Sequence, residues 1–165
     1  RTITLYGSSI QWCAIHNKHH KHSDTHEDPH HALLTGDMKL SKSDLMSVSH
    51  LMKSEEHRLF HDNYWLIILL TAIAFPTFPS FFMLYVLPVS VIIVVSAIFN
   101  YTIHTEYGPQ NKKAWAYIGT SEWKHKTHHE HPEMWDYRDE WHRFDLVATF
   151  ISIIRTKDDT KTNTR

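Results

Sequence analysis

Two histidine clusters of identical spacing stand far apart in the chain, His16-Asn17-Lys18-His19-His20 and His125-Lys126-Thr127-His128-His129. Both read HxxHH. On a helix, positions i, i+3 and i+4 share one face about a turn apart, so each cluster aims three imidazoles at one place. Neutral imidazole suits iron, zinc, copper or nickel, and residue type alone leaves these open. Two facing copies would supply six nitrogens, and adjacent histidines diverge enough for one box to serve two ions. Nitrogen-rich sites with open positions suit iron that binds oxygen, whereas structural zinc closes with four ligands. A third element, Asn100-Tyr101-Thr102-Ile103-His104, places Asn100 and His104 at i and i+4. They are expected on one helix face at a membrane boundary, where polar and ionisable groups mark function.

The elements between the boxes must bring them together. From Tyr64 to Phe99 there is no charged residue. One helix of that length would span about 54 Å, against about 30 Å of bilayer hydrocarbon. Pro76 and Pro79, with Thr77 and Ser80, mark a break in the middle. The expectation is a transmembrane helical hairpin over about 62–103, with two spans of about 18 residues joined near 76–80. Pro88 then falls early in the second helix, where a kink is tolerated. A buried core hairpin of a soluble protein is the plainer reading, but neither segment carries a polar face. An even number of spans returns the chain to its starting side, so both boxes face one compartment. Lys39, Lys42, Lys53 and Arg58 precede the hairpin and Lys112, Lys113, Lys124 and Lys126 follow it, so the positive-inside rule puts that compartment on the cytoplasmic side.

The fold class expected is therefore all-α: a multi-pass membrane protein with a cytoplasmic, histidine-rich helical cap. Within the cap, residues from about Ser9 to His20 read as a helix, with turns at Ser23-Asp24-Thr25 and Asp28-Pro29. Ser43 to His61 reads as one amphipathic surface helix, capped by Ser43 or Asp44 and anchored by Leu45, Val48, Met52 and Leu59. Phe144 to Ile154 is apolar and too short to span, and residues 156–165 form a polar tail expected to be disordered.

Composition narrows the chemistry. Lys plus Arg (17) nearly balances Asp plus Glu (18), so no nucleic-acid partner is implied. Sixteen histidines against one cysteine exclude a disulfide scaffold and cysteine-based zinc or iron–sulfur sites. Cys13 is expected to be a small buried residue. A chain starting at Arg1, with the first box following at once, is expected to continue upstream.

The motifs carry a family resemblance. Gly7-Ser8-Ser9-Ile10-Gln11-Trp12, then His16 to Thr25, then Asp28-Pro29-His30, resembles the second histidine box of membrane fatty acyl desaturases, the stearoyl-CoA (Δ9-type) branch above all, whose pattern runs HRxHHxxSDTxxDPH. Phe60-His61-Asp62-Asn63-Tyr64 resembles the segment before that family's third membrane helix. Asn100 and His104 match its NxxxH element. Glu122, His125 to His129 and His131-Pro132 match its third box. The resemblance covers residues 1–155 as a partial desaturase domain. It implies that His16, His19, His20, His104, His125, His128 and His129 ligate two iron ions, with Asn100 holding one through water. Trp12, Asp24, Asp28, His30, Glu122 and Trp123 are implied to support the ligands or line a substrate tunnel.

The implied activity is an O2-dependent acyl desaturase that places a cis double bond in a fatty acyl chain carried as acyl-CoA or acyl-lipid. Electrons would come from an external donor such as cytochrome b5 or ferredoxin. The family carries a further box, HxxxxH, ahead of the second; none precedes His16, so the piece alone is expected to be inactive. Asn17 stands where arginine is usual, and Lys126-Thr127 replaces an asparagine pair. His57 and His61 are i and i+4 but are expected to be surface or hydrogen-bonding residues, and His22, His50 and His142 surface residues. His26, His30 and His31 are expected beside the site. Two rivals remain: a membrane di-iron hydroxylase of lipids, alkanes or carotenoids, and a non-catalytic histidine-rich metal-binding membrane protein. The Ser23-Asp24-Thr25…Asp28-Pro29-His30 run favours the desaturase.

Overall fold

The computed structural model describes residues 2–30, 38–118, 121–138 and 145–154, with the side chains at 118, 121 and 122 excepted. His31, His142, the tail 156–165 and the side chain of Glu122 therefore lie outside the described set. The described chain is mostly helical, as the patterning predicts. It divides into two compact units, Arg1–Asn100 and Tyr101–Arg165, each carrying one histidine cluster.

In the first unit, helix α1 (Ser9–His22) begins at a capping box. The Ser8 hydroxyl accepts from the Gln11 amide, and the Gln11 side chain accepts from the Ser8 amide, so two otherwise orphaned donors are satisfied. Gly7 precedes it at φ +81°, where a Cβ would meet the Gln11 side chain at 3.1 Å. A side chain there would strain the backbone and crowd the cap. Ile10 and Ala14 of α1 pack on Val48, with Cys13, Leu40 and Leu51 around them. That apolar stripe fixes the helix and turns its other side, bearing Trp12, His16, His19 and His20, away from the core.

The segment expected as one surface helix is three. They are α2 (Lys42–Met46), α3 (Ser49–Lys53) and α4 (Glu55–Asp62). Serines cause the breaks, because their hydroxyls compete for backbone partners. Ser41, two or three residues ahead of the expected caps, starts α2 and shares a capping box with Asp44. That hydrogen bonding to Ser41 holds the Asp44 carboxyl below the ordinary aspartate value. The Ser47 hydroxyl donates to the Asp44 carbonyl at the end of α2, and Ser54 caps α4. Val48, expected as a surface anchor, is fully buried in the core, while Met52 and Leu59 are exposed.

Helix α5 (Tyr64–Ile73) follows, and then α6 (Phe78–Ile103). At 1.5 Å per residue α6 is about 39 Å long, and it is long and apolar enough to cross a bilayer. Helix α5 reaches only about 15 Å, so the two arms are unequal where two equal spans are expected. Thr77 caps α6 in a box with Ser80, which places Pro79 inside the first helical turn, where its missing N–H costs nothing. Pro88 is accommodated by a π-helical turn over Phe82–Val86: the Leu87 amide reaches back to the Phe82 carbonyl. The wider turn relieves the clash of a proline ring with the preceding turn.

The second unit opens with the last residues of α6. The helix stops at Ile103 because its carbonyl accepts from the Gln110 amide at 2.8 Å, while the Tyr107 amide goes to the Thr105 hydroxyl. Strand β1 (His104–Thr105) then pairs antiparallel with β2 (Gly108–Pro109), His104 opposite Pro109. Short 3-10 turns at Lys113–Ile118 and Ser121–Lys124 lead into α7 (His125–Glu130). Helix α8 (Leu146–Ile154) is capped by Asp145, whose carboxylate accepts from the Val147 and Ala148 amides. It begins two residues after the expected Phe144, which is outside the described residues.

Candidate metal centre

Helix α1 gathers the first cluster. The Nε2 atoms of His16 and His20 lie 3.1 Å apart, and the ring of His19 stands 6.0 and 5.7 Å from theirs. Trp12 stacks on His16 at 4.4 Å between ring centroids, fixing that imidazole's plane. His19 is nearly fully buried, and its Nδ1 donates to Asp28 at 2.7 Å. Asp28 is a fully buried carboxylate that also accepts from the amides of Asp24 (2.8 Å) and His30 (2.7 Å). Burial alone would raise its pKa, but the hydrogen bonds from His19 and the Asp24 and His30 amides hold it down, at about 2. The ion is thus preserved for His19. With Nδ1 committed to a carboxylate, a neutral His19 carries its lone pair on Nε2, the arrangement found in carboxylate–histidine–metal triads. Asp24 takes a left-handed φ of 62°, which lets its amide turn toward Asp28. His30 packs edge-on against His19 at 5.1 Å.

The second cluster combines α7 with β1. His104 and His125 are both buried, and their Nε2 atoms are 2.9 Å apart. The Nε2 of His129 lies 3.1 Å from the same atom of His125. One ring nitrogen either donates a single in-plane proton or offers a single lone pair, so His125 Nε2 cannot make two good hydrogen bonds at once. A cation at the point of convergence can satisfy all three. Two nitrogens each about 2.1 Å from an ion and at right angles are about 3.0 Å apart. The observed separations match that value, and the histidine clusters could bind metal ions. Buried Trp123 closes the start of α7. Asn111 staples the helix by accepting from the Thr127 amide and donating to its hydroxyl.

No family model, curated protein or solved structure matches this chain. The residues themselves must carry the functional reading.

All seven expected ligands thus fall into two close groups, His16, His19 and His20 in one unit and His104, His125, His128 and His129 in the other. One expectation fails in detail. Asn100 and His104 do not share a helix face, because α6 ends at Ile103 and His104 sits on the ribbon. Thr105 and the Gly108-Pro109 pair were the sequence signals for that break. Asn100 is half-buried near the end of α6. Outside the clusters, His57 and His61 bond through Nδ1 to Ser9 and Ser8, each at 2.7 Å, and so clamp α4 to the start of α1. His22 pairs with Glu27 at 2.9 Å. Asn17, at the position usual for arginine in the resembled pattern, donates to Ser47.

Two contributors had no signal in the sequence. Asn111 reaches Thr127 through the fold of the intervening turns. Tyr137 meets His128 Nδ1 at 3.1 Å only because the chain doubles back after Pro132.

Proposed function

We propose that this chain is part of an O2-dependent membrane acyl desaturase of the Δ9 type, whose two histidine sets hold a di-iron centre. The observation that carries the metal reading is the approach of two Nε2 atoms to a third: those of His104 and His129 lie 2.9 and 3.1 Å from His125 Nε2, an arrangement that hydrogen bonds alone do not satisfy. The buried Asp28–His19 pair supports it in the other unit. The desaturase assignment rests on the motif resemblance, above all the run from His16 to His30 with its SDT and DPH elements.

The ions would supply the oxygen chemistry. The residues of this chain orient them: Asp28 fixes the tautomer of His19, and Trp12 fixes the plane of His16. The net reaction takes one hydrogen from each of two adjacent methylenes. With O2, two electrons from an external carrier and two protons, it yields a cis alkene and two waters. In this reading α6 crosses the bilayer, and α5, too short to cross as a helix by itself, enters it together with the uncharged residues leading to Thr77, which keeps both histidine clusters on the cytoplasmic side.

The test is product analysis in cells expressing the gene product that carries this chain, fed an acyl chain of known mass. A desaturase gives product two mass units lighter. A product heavier by one oxygen assigns the chain to the hydroxylases instead. No change in the acyl pool, together with bound zinc or nickel, assigns it to non-catalytic metal binding.

A further inference from the structure

We propose that Tyr137 is a positioning residue that selects which nitrogen of His128 is offered to the metal, an inference that rests on the metal reading above. The phenol oxygen of Tyr137 lies 2.9 Å from the carbonyl oxygen of His131 and 3.1 Å from His128 Nδ1. A carbonyl only accepts, so the single phenolic proton goes to His131. Toward His128 the phenol oxygen is then the acceptor, and Nδ1 carries the proton. In a neutral imidazole the remaining lone pair sits on Nε2. The rings stand at 86° to each other, which lets an in-plane Nδ1–H point at the oxygen.

The same nitrogen is held in His19, where the acceptor is the Asp28 carboxylate. Two ligands in different units are therefore presented through Nε2, by chemically different devices. The tyrosine is a neutral acceptor, so it orients His128 with less added basicity than a carboxylate gives His19.

The position of Tyr137 is itself fixed. Its neighbours Asp136 and Arg138 form a two-pronged ion pair, at 2.9 Å through Nε and 2.7 Å through Nη2. Arg138 also reaches the Thr149 hydroxyl of α8 at 3.5 Å. Helix α8 thereby supports a residue that acts on α7, a link between the two that needs no contact of α8 with the metal.

The experiment is anaerobic Fe(II) titration against a competing chelator, with the full gene product and its Tyr137→Phe variant. Loss of the acceptor is expected to weaken one iron about 10–100-fold while the other is unchanged. Alongside it, 15N-labelled histidine spectra of the metal-free protein read the His128 tautomer directly. Nδ1–H is expected in the unaltered protein and a mixture in the variant. Unchanged iron affinity in Tyr137→Phe, or Nε2–H at His128 in the unaltered protein, would overturn the proposal. Should the variant not fold, the tautomer of the unaltered protein still decides. Failure of the unaltered protein to bind iron at all, with Nδ1–H still seen, would overturn the metal reading and leave the tautomer assignment standing.

Discussion

Asp28 shows how much a single carboxylate does at this site. It is fully buried, yet remains ionised because three donors converge on it. Removing its charge while keeping its shape separates orientation from packing. Under the proposed di-iron reading, Asp28→Asn is expected to weaken metal binding through His19 about 10–100-fold in chelator competition, since the amide can present its NH2 to Nδ1 and favour the wrong tautomer. An unchanged affinity would mean that the pair serves folding alone. At this scale the sequence was informative where the partner is close along the chain. His19 and Asp28 are nine positions apart and joined by one turn, and the DPH element marked the carboxylate. Tyr137 is equally near to His128 in sequence, but nothing in a tyrosine after Pro132 announces which way the loop folds. Spacing rules cover helices, and the tyrosine is on none.

Helices place these residues, and most were legible from apolar spacing and caps. Helix α1 follows from Ile10, Cys13 and Ala14 on one side and the histidines on the other. What could not be read was where helices stop. Serine hydroxyls at 47 and 54 divide the stretch between Lys42 and Asp62, since each offers the backbone a local partner that competes with the helix ladder. Thr105 does the same after Ile103 and moves His104 off the helix. Pro76 and Pro79 signalled the break in the apolar run, but the structure uses Pro79 to begin α6 rather than to separate two equal arms. Length and composition make α6 able to cross a bilayer, and Val91 lies near its centre, half exposed at 52%. Val91→Arg is expected to raise its apparent insertion free energy by about 3–4 kcal/mol in a translocon assay. Insertion that does not respond would show that α6 is not the inserted segment.

At the scale of the molecule, the chain has sixteen histidines and one cysteine, and seven of those histidines fall in two close groups, one in each unit. Several of the others have ordinary work: His57 and His61 clamp α4 to α1, and His22 meets Glu27. Composition alone would have fitted a diffuse metal buffer. Burial argues against that, because His19, His104 and His125 are each under one-tenth exposed and held by defined partners. A buffer keeps its ligands accessible, whereas a defined metal site encloses and orients them. Whether the two clusters hold iron is decided by metal analysis with Mössbauer spectroscopy on the gene product carrying this chain, purified after growth in 57Fe. Two nitrogen-ligated irons per molecule are expected, with the signal lost or halved in His125→Ala and unchanged in His57→Ala. Zinc or nickel in place of iron, or an iron content that His125→Ala leaves untouched, would contradict it.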